Sequence, residues 1–257
     1  MSMSLKKKVY LKYSEAINVA IESTMKKYEN VIVMGLGAED PKRIFGTTKG
    51  LKEKFGKNRV FDVPTSENAF TGICLGVAIN GLRPILSHQR VEFSLLSLEQ
   101  IINQIAKWSF MNNGKKSVPL VIRLIIGRGW GQGPQHSQTL DVYFANIPGL
   151  KVVAPATPAD AKGLLISSIR DRNPVIFMEH RWLHETVGMV SQDNIKVEIG
   201  KAKIVRQVIG PDLPIFTPGI RMKNDSSDDQ QRVCTPIESI KNGSNKIIMG
   251  RGLTKGN

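Results

Sequence analysis

Hydrophobic positions along the chain follow two spacings, one typical of helices and one typical of buried strands. Apolar residues at helical spacing predict helices at residues 13–28, 48–55, 67–80, 94–111 and 158–170. Short, nearly continuous apolar runs predict strands at residues 31–34, 59–63, 82–86, 119–126, 152–154 and 174–178. Because the two kinds of element alternate, the predicted fold class is α/β, a parallel sheet wrapped by helices.

Glu67 stands where one of these strands meets the next helix. Pro64 ends the strand because proline has no N–H for a ladder, and Thr65 and Ser66 favour a helix cap. The following helix is apolar, rich in small residues, and ends near Asn80. Two interpretations are open. Glu67 either stabilises the N-terminal end of the helix dipole or is a buried acid that exchanges protons during catalysis.

A glycine-rich loop at residues 127–139 follows the buried strand 119–126. In a parallel sheet this position lies at the carboxyl edge, where ligands bind. His136 in this loop could exchange protons, or it could be a structural histidine. Arg128 could pair with a substrate carboxylate or remain a solvated arginine.

Composition narrows the classes of function. The chain of 257 residues is 41% hydrophobic and carries a net charge of +14, yet its only basic triplet is residues 6–8. We therefore expect a scattered basic surface and no nucleic-acid partner. No apolar run reaches the ~18 residues of a membrane helix, and no secretory signal is recognisable. Cys74 and Cys234 lie far apart, which favours a reducing, cytoplasmic setting without disulfides.

From about residue 13 to residue 207 the chain resembles the beta subunit of thiamine-diphosphate-dependent 2-oxoacid dehydrogenases of the pyruvate dehydrogenase type. The matching segments include DVPTSENAFTGICLGVAINGLRPI, SLEQIINQIAKWSFMNNG, SVPLVIR, GPQHSQTL and IPGLKVVAPATPADAKGLLISSIRDRNPVIFME. The resemblance implies the thiamine-diphosphate-binding fold, with a transketolase-like pyrimidine-binding domain over residues 1–190. It also implies decarboxylation of a 2-oxoacid, with transfer of the acyl group to lipoamide.

The resemblance assigns roles to individual residues. Glu67 would hydrogen-bond the aminopyrimidine ring of thiamine diphosphate, Phe93 would stack on that ring, and His136 would assist acyl transfer to the lipoyl group. Thr65 and Glu39 would also lie on the cofactor side. A potassium ion is implied at positions matching Leu120, Ser168, Ile169, Asp171 and Asn173. Ordinary core filling by Phe93 and a turn role for Asp171 are the alternatives.

Two regions depart from the family pattern. Residues 87–91, SHQRV, replace an acidic and aromatic stretch, and the glycine-rich loop carries large polar residues. These changes place His88 and Arg128 on the expected substrate side and admit an acceptor larger or more polar than pyruvate. After residue 207 the resemblance fades, so residues 191–257 are interpreted as a linker and a truncated or divergent remnant of the family's C-terminal domain.

The sequence lacks the GDG motif through which the family's alpha subunit binds the diphosphate and magnesium. The resemblance therefore implies half an active site, completed by an alpha subunit in a heterotetramer with a second beta chain, which serves a lipoyl acyltransferase core. Two alternatives stay open: a transketolase-like carboligase subunit, and a catalytically inactive scaffold subunit.

Overall fold

A computed structural model describes residues 8–39, 44–127, 131–194, 197–200, 216–217 and 246–247. Most of residues 191–257, which the sequence argument interprets as a linker and a remnant of the C-terminal domain, therefore lie outside the described residues. The chain divides into two units, Met1–Ile199 and Gly200–Asn257. Within the described residues, no helix is both long enough and apolar enough to cross a membrane.

The first unit is built on a six-stranded, fully parallel sheet. Its strands are β2 (Val31–Gly35), β3 (Val60–Phe61), β4 (Arg83–His88), β5 (Val121–Ile126), β6 (Lys151–Val153) and β7 (Val175–His180). Their spatial order is β3-β2-β4-β5-β7-β6. The predicted α/β fold class with a parallel sheet is confirmed.

Helices cover both faces of this sheet. The α-helices are α1 (Tyr13–Lys27), α2 (Leu51–Phe55), α3 (Glu67–Ile79), α4 (Ala106–Met111), α5 (Asp141–Ala145) and α6 (Pro158–Arg170). Strand side chains alternate between two apolar clusters, so that Val33 packs on the α1 and α6 side and Met34 on the α3 side. Both faces are buried, as the continuous apolar runs predict.

The single helix predicted at 94–111 is wrong, because the structure has three segments there. Val91–Ser97 is a 3₁₀-helix, Glu99–Ile105 is a π-helix, and α4 follows. The Ser94 hydroxyl donates to the Val91 carbonyl at 2.6 Å and the Ser97 hydroxyl to the Ser94 carbonyl at 3.1 Å. Such local side-chain bonds compete with regular α-helical pairing, and apolar spacing alone does not distinguish the helix types.

An antiparallel ribbon of β1 (Lys8–Lys12) and β8 (Val187–Ser191) lies outside the central sheet and is absent from the sequence prediction. Val9 and Val190 are opposite each other in its register, and Val190 is buried. In the second unit, β9 (Phe216–Thr217) and β10 (Lys246–Ile247) form a short parallel pair.

Candidate functional site

A small cleft opens at the carboxyl edge of the sheet. It is bounded by the β3–α3 connection, the end of β4 and the 3₁₀-helix that carries Phe93. The cleft brings together four of the predicted site residues, Thr65, Glu67, His88 and Phe93. Carboxyl edges are where parallel sheets bind ligands, so the position matches the sequence prediction.

Glu67 is the first residue of α3, directly after the N-cap residue Ser66. Its side chain is half-buried, and its carboxylate has no hydrogen-bond partner among the described residues. A carboxylate at this end of a helix is stabilised by the helix dipole. The same residue lines the cleft, so the dipole and ligand roles are compatible.

His88 is the last residue of β4 and lines the same cleft. It is only 6% exposed, and burial lowers the pKa of its imidazole to about 4. The imidazole is therefore neutral at physiological pH. Its Nε2 is buried without a hydrogen-bond partner in the part of the chain that the structure describes. Since buried polar atoms are nearly always paired, this atom marks a position for a ligand group.

Phe93 lines the cleft, and His136 packs against Phe93 from the glycine-rich loop without lining the cleft itself. Their rings meet edge to face, with centroids 5.5 Å apart. His136 lies in a short 3₁₀-helix, Pro134–His136, and its Nδ1 is 2.8 Å from the Gln135 carbonyl oxygen. That contact favours the tautomer that carries the proton on Nδ1, because a carbonyl oxygen can only accept a hydrogen bond.

Glu39 does not line the cleft. One carboxylate oxygen pairs with the Lys52 ammonium, and the other accepts the Asp62 backbone N–H at 3.3 Å. The Lys52 hydrogen bond lowers the pKa of this carboxyl. The neighbouring Asp62, which the sequence argument missed, accepts the backbone N–H groups of Gly37 and Ala38 and shapes the loop after β2. Arg128 lies outside the described residues.

The predicted potassium residues lie at the opposite, amino-terminal edge of the sheet. The carbonyl oxygens of Ile169 and Asp171 accept hydrogen bonds from the Arg83 guanidinium at 2.8 and 2.9 Å. The Leu120 and Ser168 carbonyls each accept one backbone N–H. Each carbonyl keeps a second lone pair that a cation could use, and such a cation would lie beside the positive charge of Arg83. The Asp171 carboxylate pairs with Lys151 at 2.6 Å.

A buried ion pair beneath the site also escaped the sequence argument. Arg123 on β5 donates through Nε and Nη2 to both carboxylate oxygens of Glu179 on β7, at 2.5 and 2.9 Å. Burial raises the pKa of Glu179, but Arg123 and His184 together outweigh burial, so the pKa lies below its usual value. Arg123 also donates to the hydroxyls of Ser87 and Thr47. The signal in the sequence is an arginine inside the apolar run PLVIRLII.

A parallel α/β sheet with a cleft at its carboxyl edge is typical of a ligand-binding domain. A family model described as "Transketolase, pyrimidine binding domain" matches residues 10–185, so the chain belongs to that family. A solved structure titled "Split gene transketolase, inactive beta4 tetramer" has the same fold, with a TM-score of 0.61 at 18% identity. The likeness covers 81% of this chain and 62% of that one.

Curated relatives are beta subunits. The chain is 43% identical over 215 residues to the acetoin:2,6-dichlorophenolindophenol oxidoreductase subunit beta of Cupriavidus necator, covering 80% of this chain and 63% of the relative. It is 39% identical to the 2-oxoisovalerate dehydrogenase subunit beta of Bacillus subtilis, covering 82% and 64%. Against the pyruvate dehydrogenase E1 component subunit beta of Acholeplasma laidlawii it is 40% identical, covering 80% and 62%. The chain thus spans less than two thirds of these relatives.

A second family model, "Orotidine 5'-phosphate decarboxylase / HUMPS family", matches residues 172–257. The match overlaps the end of the first unit and includes all of the second. The sequence argument did not identify this similarity.

Proposed function

We propose that the chain acts as the beta subunit of a thiamine-diphosphate-dependent 2-oxoacid dehydrogenase, decarboxylating a 2-oxoacid and passing the acyl group to lipoamide. The observation that carries the proposal is the cleft that unites the Glu67 carboxylate with the Phe93 ring. Relatives of this chain are named for acetoin, 2-oxoisovalerate and pyruvate, so the substrate class is broad. We place the complex in the cytoplasm.

Thiamine diphosphate fits the residues of this cleft. Glu67 would hold the aminopyrimidine by a hydrogen bond to a ring nitrogen, and Phe93 would cover a ring face, with Thr65 at the rim. When bound, the cofactor supplies a carbon nucleophile and an electron sink. Glu67 would keep a proton on the ring nitrogen, and apolar Leu86, Val63 and Phe70 would exclude water from that side.

His88 and His136 would act on the substrate side. A neutral His88 can donate or accept one hydrogen bond at Nε2, which suits a carbonyl or hydroxyl of the substrate. A neutral imidazole also avoids charge repulsion with the cationic thiazolium ring of the cofactor. His136, half-exposed against Phe93, is placed to deliver a proton during acyl transfer. Arg128 remains a proposed partner for the substrate carboxylate.

An alpha subunit would hold the diphosphate and magnesium, and a second beta chain and a lipoyl acyltransferase core would complete the assembly. Calorimetry tests this division. The full chain alone should bind thiamine diphosphate weakly even with magnesium, and coexpression with an alpha subunit should restore tight binding. Micromolar binding by the chain alone would overturn it.

Turnover of the reconstituted complex identifies the reaction. Reduction of 2,6-dichlorophenolindophenol is followed with pyruvate, 2-oxoisovalerate and acetoin, with and without thiamine diphosphate. Cofactor-dependent dye reduction supports the dehydrogenase. Transfer of a two-carbon unit between sugars, without dye reduction, supports the carboligase. Cofactor binding without turnover of any substrate supports the inactive scaffold.

A potassium ion at Leu120, Ser168, Ile169, Asp171 and Asn173 would be structural, since these residues lie away from the cleft. It would join strand β5 to the end of α6 through their carbonyl oxygens. Thermal unfolding of the full chain in potassium chloride and in choline chloride at equal ionic strength checks this. A potassium site predicts a higher midpoint of thermal unfolding in potassium chloride than in choline chloride. Coincident unfolding curves would contradict such a site.

For residues 200–257 we propose an origin in a second family, as an alternative to a remnant of the C-terminal domain found in beta subunits. The support is the similarity of residues 172–257 to the orotidine 5'-phosphate decarboxylase / HUMPS family. Titrating orotidine 5'-phosphate into the full chain tests whether this segment recognises such a ligand. Saturable binding would indicate that the segment keeps a ligand site of the second family. Without binding, sequence similarity would be the only support for the second origin.

A further inference from the structure

Glu92 and Phe93 are consecutive residues of one 3₁₀-helix, and both contact the glycine-rich loop. The Glu92 carboxylate accepts the backbone N–H of Gln138 at 2.6 Å. The Phe93 ring meets the imidazole of His136, two residues earlier in the loop. A single turn thus contacts the loop twice, once through a charge and once through a ring.

Backbone hydrogen bonds also restrain this end of the loop, and one of them joins the His136 N–H to the Gly133 carbonyl at 3.4 Å. The Gln138 carbonyl accepts the Gly127 N–H at 3.2 Å, which closes the base of the loop. Gly127, Gly131 and Gly133 all have positive φ, a region that glycine adopts without strain. Glycine also lets the unfolded or detached loop sample many conformations, so holding one conformation costs entropy.

Glu92 is only 9% exposed, and a buried carboxylate is costly unless it is hydrogen-bonded. The Gln138 N–H supplies that bond, and a bond to a charged acceptor is stronger than one between neutral groups. We propose that Glu92 is a positioning residue, whose carboxylate holds the glycine-rich loop so that His136 lies against Phe93. The catalytic consequence rests on the proposed function, but the structural contact does not.

Hydrogen exchange on the full chain tests the contact directly. In Glu92→Ala the Gln138 amide should exchange about 10- to 100-fold faster, as expected for loss of one hydrogen bond to a charged group. Glu92→Gln keeps a side-chain oxygen acceptor and should recover most of the protection. Glu53→Gln, a charge-matched change at an exposed position of α2, should leave the Gln138 rate unchanged.

A spectroscopic readout separates positioning from a general effect on folding. Ring current from Phe93 should shift the His136 imidazole proton resonances in the native chain, and Phe93→Leu calibrates that shift. Glu92→Ala should lose the same shift, and Glu92→Gln should largely restore it. If Glu92→Ala fails to fold, Glu92→Met carries the test, because it keeps the length of the side chain without an oxygen acceptor, and the same losses are expected in both readouts. Unchanged Gln138 exchange and an unchanged His136 shift in a folded Glu92→Ala or Glu92→Met variant would overturn the proposal. Neither readout requires turnover, so failure of the proposed reaction would leave this result interpretable.

Discussion

Phe93 meets His136 with ring centroids 5.5 Å apart and planes inclined by 62°. The two residues lie on either side of strand β5 in the sequence. Phe93 belongs to the 3₁₀-helix before the strand, and His136 belongs to the loop after it. The contact brings the wall that would cover the cofactor ring next to the histidine that would act on the acyl group. Edge-to-face aromatic contacts have a preferred geometry, so this pair also orients the imidazole.

Glu67→Gln should abolish activity while leaving the fold intact. The amide keeps the size of the side chain but no longer holds a proton on the cofactor ring, and such acid–base roles contribute typically ~10²–10⁴-fold. Dye reduction by the reconstituted complex measures the loss, and thermal unfolding checks the fold. Glu53→Gln serves as the charge-matched control. Near-normal turnover of Glu67→Gln would reject the assignment.

His136→Ala should affect one half of the reaction. Decarboxylation measured with an artificial electron acceptor should be largely retained, whereas acyl transfer to a lipoyl domain should fall by about 10²-fold or more. The reason is that proton delivery is required when the acyl group leaves for the lipoyl sulfur. The two assays are run on the same enzyme preparation. Equal losses in both, or none in either, would count against this role.

His88→Phe should remove a pH dependence of stability. In the folded chain the pKa of His88 is about 4, against an ordinary value of 6.5, so between these pH values the unfolded chain binds the extra proton. Above pH 6.5 His88 is neutral in both the folded and the unfolded chain and adds no pH dependence, whereas toward pH 4 the folded chain loses stability by about 1.4 kcal/mol per pH unit.

Urea unfolding of both proteins between about pH 7.5 and pH 4.5 measures the difference in slope. The Phe side chain fills a similar volume, so the free energy of unfolding above pH 6.5 should change little. Parallel curves for the two proteins would show that His88 is not held neutral by burial.

Breaking the Arg123–Glu179 pair should be strongly destabilising. Arg123→Met leaves the Glu179 carboxylate buried without its cation, which costs about 3–5 kcal/mol. The double variant Arg123→Met with Glu179→Leu removes both charges and should recover much of the loss. Urea unfolding of the two variants and the parent chain gives the comparison. A loss below about 1 kcal/mol for Arg123→Met would contradict a dry, tightly paired site.

Local sequence determined the alternation of helices and strands, the parallel α/β class and the position of Glu67 at a strand-to-helix junction. These features follow from apolar spacing and from turn residues such as Pro64, which act over a few positions. The segment 91–111 marks the limit of that reasoning, because serine side-chain bonds and mixed helix types do not alter apolar spacing.

Tertiary structure alone decided which distant residues meet. The β1–β8 ribbon, the Glu92–Gln138 bond and the Arg123–Glu179 pair join residues 46 or more positions apart. It also separated Glu39 from the cleft through Lys52 and buried the Nε2 of His88 without a partner among the described residues. Such contacts depend on the order of the strands in the sheet and on burial. No local pattern encodes either, because a side chain's environment is set by elements remote in sequence.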